Sequence, residues 1–288
     1  MSIKKSNLVE RFNFTQPNQY SISALIPTRK RPDKLRRSVA SLVDLADSPD
    51  KLEIMIAVDD DDAETLESIN QDLHPWLKSR QVPHRMVTMP RQGYINLQNY
   101  YNTLAENSSC DWYFMWGDDS VIKTQGWDSI IRHHDGEFRI LRVRTHNEHP
   151  YSIFPIIPRD WFKLVGMLGN HQMGDAVVSQ MAYMLDIMHN VEIDVDHNRF
   201  DLVGEKPDEV YQQRVLLEGN PSDPRDLNSS KNVFWRYSMC DRIAWYLQSR
   251  GHDISWWNNV KAGVQDPWEK LKANDPNNQT CQNIVIRK

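Results

Sequence analysis

Two acidic clusters in this chain sit where carboxylates do chemistry. Asp118 and Asp119 close the aromatic-rich run Asp111-Trp112-Tyr113-Phe114-Met115-Trp116-Gly117, and Asp59-Asp60-Asp61-Asp62 follows a second apolar run at residues 52–58. Adjacent carboxylates repel each other, a divalent cation is the usual relief, and a cation held there can grip a phosphate. A plain structural reading stands beside the chemical one. Acids after a strand also cap the helix that follows, and Asp62 before Ala63-Glu64-Thr65 reads as such a cap. The aromatic residues Trp112, Tyr113, Phe114 and Trp116 weigh on the other side, because they imply burial as far as Gly117 and so turn Asp118 and Asp119 into a cleft.

Other polar clusters are weaker. In the basic run Arg29, Lys30, Arg31, Lys34, Arg36 and Arg37, most charges read as a solvated helix face. Arg29 is nearest the strand end and best placed to reach a nucleotide phosphate, while Lys30 or Arg31 can face a charged acceptor. His133-His134-Asp135 and His146-Asn147-Glu148-His149 have no supporting second cluster at helical spacing and read as loops, with His171 a weaker acceptor-site candidate. Phe234-Trp235-Arg236-Tyr237 and Trp256-Trp257 have two readings, stacking on a base or sugar and packing in a helical core. Cys110, Cys240 and Cys281 are scattered without paired spacing, which suggests free buried thiols and neither a disulfide framework nor a zinc site.

The elements that must position these residues alternate between strand and helix. Residues 21–28 are a short apolar run closed near Pro27, as expected of a first core strand meeting a loop. From residue 32 to 46, Leu35, Val39, Leu42, Val43 and Ala46 recur at helical intervals behind Pro32, a residue suited to a first turn. A strand is expected at 52–58, a helix at 63–80, a strand at 82–89, a helix at 95–105 and a strand at 112–116. Further strands are expected at 139–143, 153–157 and 191–195, with helices at 175–188 and 234–248. Such alternation argues for an α/β sheet with its ligands at the carboxyl ends of the strands, where both acidic clusters then converge.

The order Ile26-Pro27-Thr28-Arg29, then Val58-Asp59-Asp60, then Gly93 with Asn99 before a helix, then Asp111 and Trp116-Gly117-Asp118-Asp119, resembles family 2 glycosyltransferases of the GT-A fold. The resemblance covers roughly residues 20–210. It implies an α/β fold, a Rossmann-like mixed sheet flanked by helices, with a mainly helical C-terminal extension. The expected division is an N-terminal segment at 1–20, a catalytic domain at 21–210 and an extension at 211–288 packed on it. It implies a nucleotide diphosphate sugar as donor, held by Pro27, Thr28, Arg29, Asp59, Asp60, Gly93, Asn99 and Asp118. The family's Asp-x-Asp motif matches Gly117-Asp118-Asp119 with Gly117 in place of its first acid, which leaves Asp119 as principal ligand of Mn²⁺ or Mg²⁺ and Asp118 assisting.

The same resemblance implies two further roles. Asp175, in Gly174-Asp175-Ala176-Val177-Val178, matches the general base of inverting members at the start of a helix, though a helix N-cap is the alternative reading of that residue. His197 matches a histidine that completes the metal shell after a late strand, with Asp196 as an alternative ligand or partner. Lys206 and Asp208 are expected to order a loop over the diphosphate. The activity implied is transfer of a sugar, with inversion, to an acceptor hydroxyl on a glycan or on a hydroxymethylated base in DNA. A nucleotidyltransferase is the competing enzyme class, but Pro27-Thr28-Arg29-Lys30-Arg31-Pro32 has no phosphate-binding glycine. A noncatalytic nucleotide- or glycan-binding protein of the same fold is the competing class suggested by Gly117.

Composition narrows the choice. A chain of 288 residues, 40% hydrophobic and 25% charged with ten tryptophans, can bury a large aromatic core. A net charge of −5 argues against nonspecific binding to nucleic acid through the whole surface. No apolar run approaches the ~20 residues that span a bilayer, and the polar start has no signal-like segment, so a cytoplasmic protein is expected.

Overall fold

The computed structural model describes residues 20–145, 151–198 and 226–269, together with residues 204, 209 and 212. The expected N-terminal segment, residues 146–149, Arg199, Lys206, Asp208, Cys281 and the Asn- and Gln-rich end lie outside the described residues. Eight strands join in one mixed sheet: β1 (Tyr20–Thr28), β2 (Leu52–Asp59), β3 (His84–Met89), β4 (Cys110–Met115), β5 (Ser120–Ile122), β6 (Ile140–Thr145), β7 (Ile156–Pro158) and β8 (Met188–His197). Their order is β3-β2-β1-β4-β7-β6-β8-β5. The first four are parallel, β6 pairs parallel with β8, and β7 and β5 run against their neighbours.

Alternating side chains divide each central strand between two cores. Ile22, Ala24, Ile26, Ile54, Ile56, Val58, Trp112, Phe114 and Trp116 pack on one face, with Leu35, Val39, Leu42 and Val43 of α1 (Pro32–Asp44). Leu25, Met55, Ala57, Tyr113 and Met115 pack on the other. There they meet α4 (Leu97–Glu106), α6 (Arg159–Val165) and α7 (Gly174–Met184). The C-terminal helices α8 (Ser230–Ser249) and α9 (Ser255–Lys261) bury Cys240, Ile243, Ala244, Leu247, Trp257 and Val260 in this same second core. Among the described residues no helix is long and apolar enough to cross a membrane.

Several boundaries differ from the sequence expectation for local reasons. The expected single helix at 63–80 is α2 (Ala63–Ser68), a π turn at Ile69–Leu73 and α3 (His74–Ser79), because Pro75 has no N–H and resets the ladder ahead of it. The helix expected to run to Met188 stops at Met184. Asp186 then takes a left-handed φ of 55°, and Met188 opens β8, a strand twice the expected length. The short β5, α5 (Trp127–Arg132), α6 and α9 had no expectation behind them.

Candidate active site

The chain leaves β1 for β2 and β3 on one side and returns to pair β4 on the other, so a crevice opens at the carboxyl ends of β1 and β4. Three segments meet there: Thr28 to Arg31 after β1, Asp59 at the end of β2, and Gly117-Asp118-Asp119 after β4. Trp116 fixes the last of these. Its ring N–H donates to Ser38 Oγ at 2.7 Å, Ser38 Oγ donates to the Gly117 carbonyl at 3.0 Å, and Tyr101 Oη donates to the Trp116 carbonyl at 3.1 Å.

The two adjacent acids do different work. Asp118 is buried, its Oδ2 accepting from Thr28 Oγ1 and its Oδ1 from Arg31 Nη1, each at 2.8 Å. Burial pushes its carboxyl above the usual carboxylate range, with Arg31 opposing and the Asp119 charge adding to the rise. Asp118 therefore ties the β1 loop to the β4 loop. Asp119 shares Arg31 and also reaches β8. Its Oδ1 lies 3.6 Å from His197 Nε2 and its Oδ2 lies 3.9 Å from Arg31 Nη1. The register of β5 on β8 pairs Ser120 with His197, and Asn198 N donates to the Asp119 carbonyl at 2.9 Å, which is why residues 78 apart in sequence meet. His197 also packs edge-on to Phe154. Asp196, on the opposite face of the strand, pairs with Lys123 at 3.4 Å and is turned from this site.

Gly117 makes room for Asp119. A Cβ at 117 would stand 2.9 Å from Asp119 Oδ1 and 3.1 Å from Ser120 Oγ. The residue that replaces the first acid of the motif is the one whose missing side chain Asp119 occupies.

Asp175 lies in the first turn of α7, whose N-cap is Met173, so the N-cap reading of Asp175 does not apply. A Cβ at Gly174 would stand 3.1 Å from Met115 Cε, so the start of α7 lies beside the end of β4 that leads into the acidic loop. Tyr101 reports the same convergence. Its hydroxyl pKa is driven far up by burial first, then by the charges of Asp175, Asp118 and Asp119. The loop before α7 is held by Asn102, whose Oδ1 accepts from Leu168 N at 2.8 Å and whose Nδ2 donates to the Gly169 carbonyl at 3.0 Å. His171 is buried in this loop, its Nδ1 accepting from Met173 N at 3.1 Å.

On the β2 side, Asp59 is buried and accepts from Arg29 Nη1 at 2.9 Å and from Tyr100 Oη. Tyr100 in turn accepts from Gln92 N at 2.8 Å, and its hydroxyl is pushed up to about 12 by burial and then by Asp59. Arg29 also binds Asp61, and its pKa is raised by Asp61 first and then, against the opposing effect of burial, by Asp59. Asp62 caps α2 through Thr65 N and accepts from Lys30 N at 2.6 Å, a plain structural role, while Asp60 is exposed. Pro27 is half-buried one residue before the end of β1, and Gly93, at φ 70°, opens the turn that leads into α4. Asn99 stands apart from the acids, its Nδ2 donating to Gln92 Oε1 at 3.0 Å beside a groove between α4 and α6.

Tyr100, Tyr101 and Asn102 were not singled out from sequence. Consecutive helix residues point about 100° apart, so three neighbours reach Asp59, the acidic loop and the loop before Asp175 separately, and only the placement of α4 reveals it. No trio of His, Cys, Asp or Glu among the described residues is set to enclose a metal alone. The pair Asp119 and His197 nevertheless fits a divalent cation. Donor atoms 3.6 Å apart can share one ion at the usual ~2.1 Å bond lengths, and carboxylate with imidazole suits Mn²⁺, leaving other positions for phosphate oxygens and water.

No protein-family model matches the chain, and no curated protein matches it in sequence. Solved structures do match in shape. The mannosyltransferase PcManGT from Pyrobaculum calidifontis, in complex with GDP-mannose and Mn²⁺, is 9% identical with a TM-score of 0.50, over 93% of this chain and 90% of that one. TarS 1–349 from S. aureus in complex with UDP-GlcNAc is 10% identical with a TM-score of 0.51, over 88% and 79%. Its complex with UDP gives 10% and 0.50, over 89% and 81%. At such identities the likeness establishes the fold: this chain has the GT-A fold.

Proposed function

We propose that this chain is an inverting glycosyltransferase that moves a sugar from a nucleotide diphosphate donor to an acceptor hydroxyl with the help of Mn²⁺ or Mg²⁺. The observation that carries the proposal is the meeting of Asp119, His197 and the Asp175 turn at one strand-end crevice in a GT-A fold. The mannosyltransferase and TarS structures support a nucleotide-sugar donor, since their complexes hold GDP-mannose, UDP-GlcNAc and UDP.

Asp119 and His197 would hold the cation, which when bound supplies positive charge against the leaving diphosphate. Asp175 takes the proton of the acceptor hydroxyl as that oxygen attacks the anomeric carbon, and the carbon–diphosphate bond breaks on the opposite face, which inverts the centre. Asp59 keeps a second lone pair on each oxygen beyond the bonds from Arg29 and Tyr100, enough to accept from a nucleotide base or ribose. Arg31, locked to Asp118, keeps a fixed positive charge beside Asp119 and the diphosphate position without leaving its own partner. Such preorganisation is a large part of any two-substrate reaction.

The test is turnover with a panel of nucleotide sugars, including GDP-mannose and UDP-GlcNAc, in Mn²⁺ and with acceptors that present glycan or hydroxymethylated-base hydroxyls. Asp175→Asn is expected to lower kcat ~10²- to 10⁴-fold while donor binding persists. Turnover by Asp175→Asn equal to that of the unaltered protein removes the base assignment, and donor cleavage with retained anomeric configuration removes the inverting mechanism.

A further inference from the structure

Helices α4 and α6 lie side by side but do not close on each other. The α4 residues that face α6 are Asn99, Asn102, Thr103 and Glu106, spaced i, i+3, i+4 and i+7. At that spacing a packed helix normally carries its apolar stripe. Here the stripe is polar, and a groove of about 610 Å³ remains between it and Phe162, Lys163, Gly166 and Met167, with Met89 and Gln92 also in its lining. The volume falls in the range of small-molecule sites, about 300–1,000 Å³.

The lining defines the ligand. Phe162, Met89 and Met167 offer half-buried apolar surface, and the amides and hydroxyl of Gln92, Asn99 and Thr103 offer both donors and acceptors. The charged residues of the lining are Glu106 and Lys163, and Lys163 Nζ is engaged by Asp160 Oδ1 at 3.0 Å, so Glu106 sets the sign of the groove. An apolar patch framed by amides, with a carboxylate beside it, suits a neutral polyhydroxylated chain and disfavours a phosphate or a carboxylate. Two lining residues also touch the proposed machinery. Gln92 bonds through its N–H to Tyr100, which binds Asp59, and Asn102 clamps Leu168 and Gly169 ahead of Asp175.

We propose that this groove binds a short neutral oligosaccharide chain. Its identification as an extended part of the acceptor rests on the glycosyltransferase reading; the binding itself does not. Isothermal titration of the full chain with maltotriose, cellotriose, mannotriose and chitotriose tests it, with a fully sulfated disaccharide as the anionic comparison. At least one neutral trisaccharide is expected to bind and the sulfated sugar is not. Thr103→Trp, which fills the groove, is expected to weaken that binding about tenfold or more, while UDP or GDP still raises the melting temperature as in the unaltered protein. Thr103→Val, which removes only the hydroxyl, is expected to weaken it a few fold and serves if the tryptophan variant does not fold. Absence of binding by every neutral trisaccharide, a preference for the sulfated one, or unchanged binding by the variants overturns the proposal. Failure of every nucleotide to bind would instead strike the glycosyltransferase reading and leave the titration as an independent result.

Discussion

Gly117→Ala separates stability from function at the acidic loop. The new Cβ would stand 2.9 Å from Asp119 Oδ1, about 0.5 Å inside the 3.4 Å at which ordinary contact begins. The backbone cannot yield, because the Gly117 carbonyl is bound by Ser38 and the Trp116 carbonyl by Tyr101. The Asp119 carboxylate, the free end of a short side chain, must move instead. Stability should change by less than about 1 kcal/mol, since relief of the contact costs only a rotation and alanine lowers the entropy of the unfolded chain. Metal geometry is less forgiving, with ligand distances held to about ±0.2 Å, so a shift of about 0.5 Å should weaken Mn²⁺ affinity on the order of 10- to 100-fold. The assay is Mn²⁺ titration of nucleotide binding beside a thermal melt. A variant that melts with the unaltered protein and binds Mn²⁺ as well would refute the reasoning, and so would one that binds it better. Gly117→Asp, which restores the first acid of the motif, should fail for the same reason and more severely.

Asn102→Ala should lower kcat with little change in donor KM, because it releases Leu168 and Gly169 ahead of Asp175; two lost hydrogen bonds should also cost about 1–3 kcal/mol of stability in a denaturant melt. Tyr100→Phe should raise donor KM and cost about 1–2 kcal/mol by leaving Asp59 one donor short, measured by initial rates and urea unfolding. Tyr100 also carries a pH signature. Its folded pKa of about 12 lies above the ordinary value of 10.0, so the stability it contributes is present below pH 10 and is lost as pH rises toward 12. Tyr100→Phe should flatten that part of the stability profile, and an unchanged alkaline slope would count against the bond to Asp59.

The strand ends were legible from sequence because burial and acidity change abruptly there. Trp112 to Trp116 reads as core, Asp118 and Asp119 follow at once, and both facts hold in the folded chain. What lay beyond sequence was direction. Adjacent residues of a turn point apart, so Asp118 turns to Thr28 and Arg31 while Asp119 lies between Arg31 and His197. The resemblance ranked Asp119 ahead of Asp118 as a ligand, but the partners and burial of the two acids could not be read from the letters. The meeting of Asp119 with His197 depends on β5, a three-residue strand too short for any periodicity to announce. Asp62 was readable as a cap because its signal is local, and signals that lie within one turn of the chain survive folding. The α4–α6 groove reads in sequence as an ordinary polar helix face, and only the neighbouring helix makes it a concavity.

The account stands most directly on Asp119 and His197 acting together on a cation that a nucleotide diphosphate also binds. Thermal unfolding with UDP and with GDP, with and without Mn²⁺, for the unaltered protein and for His197→Ala, measures this in one experiment. The account predicts that at least one nucleotide raises the melting temperature more with Mn²⁺ than without, and that His197→Ala loses the Mn²⁺-dependent part while keeping its own fold. A melting temperature that no nucleotide raises contradicts it, as does a Mn²⁺-dependent rise that survives in His197→Ala undiminished.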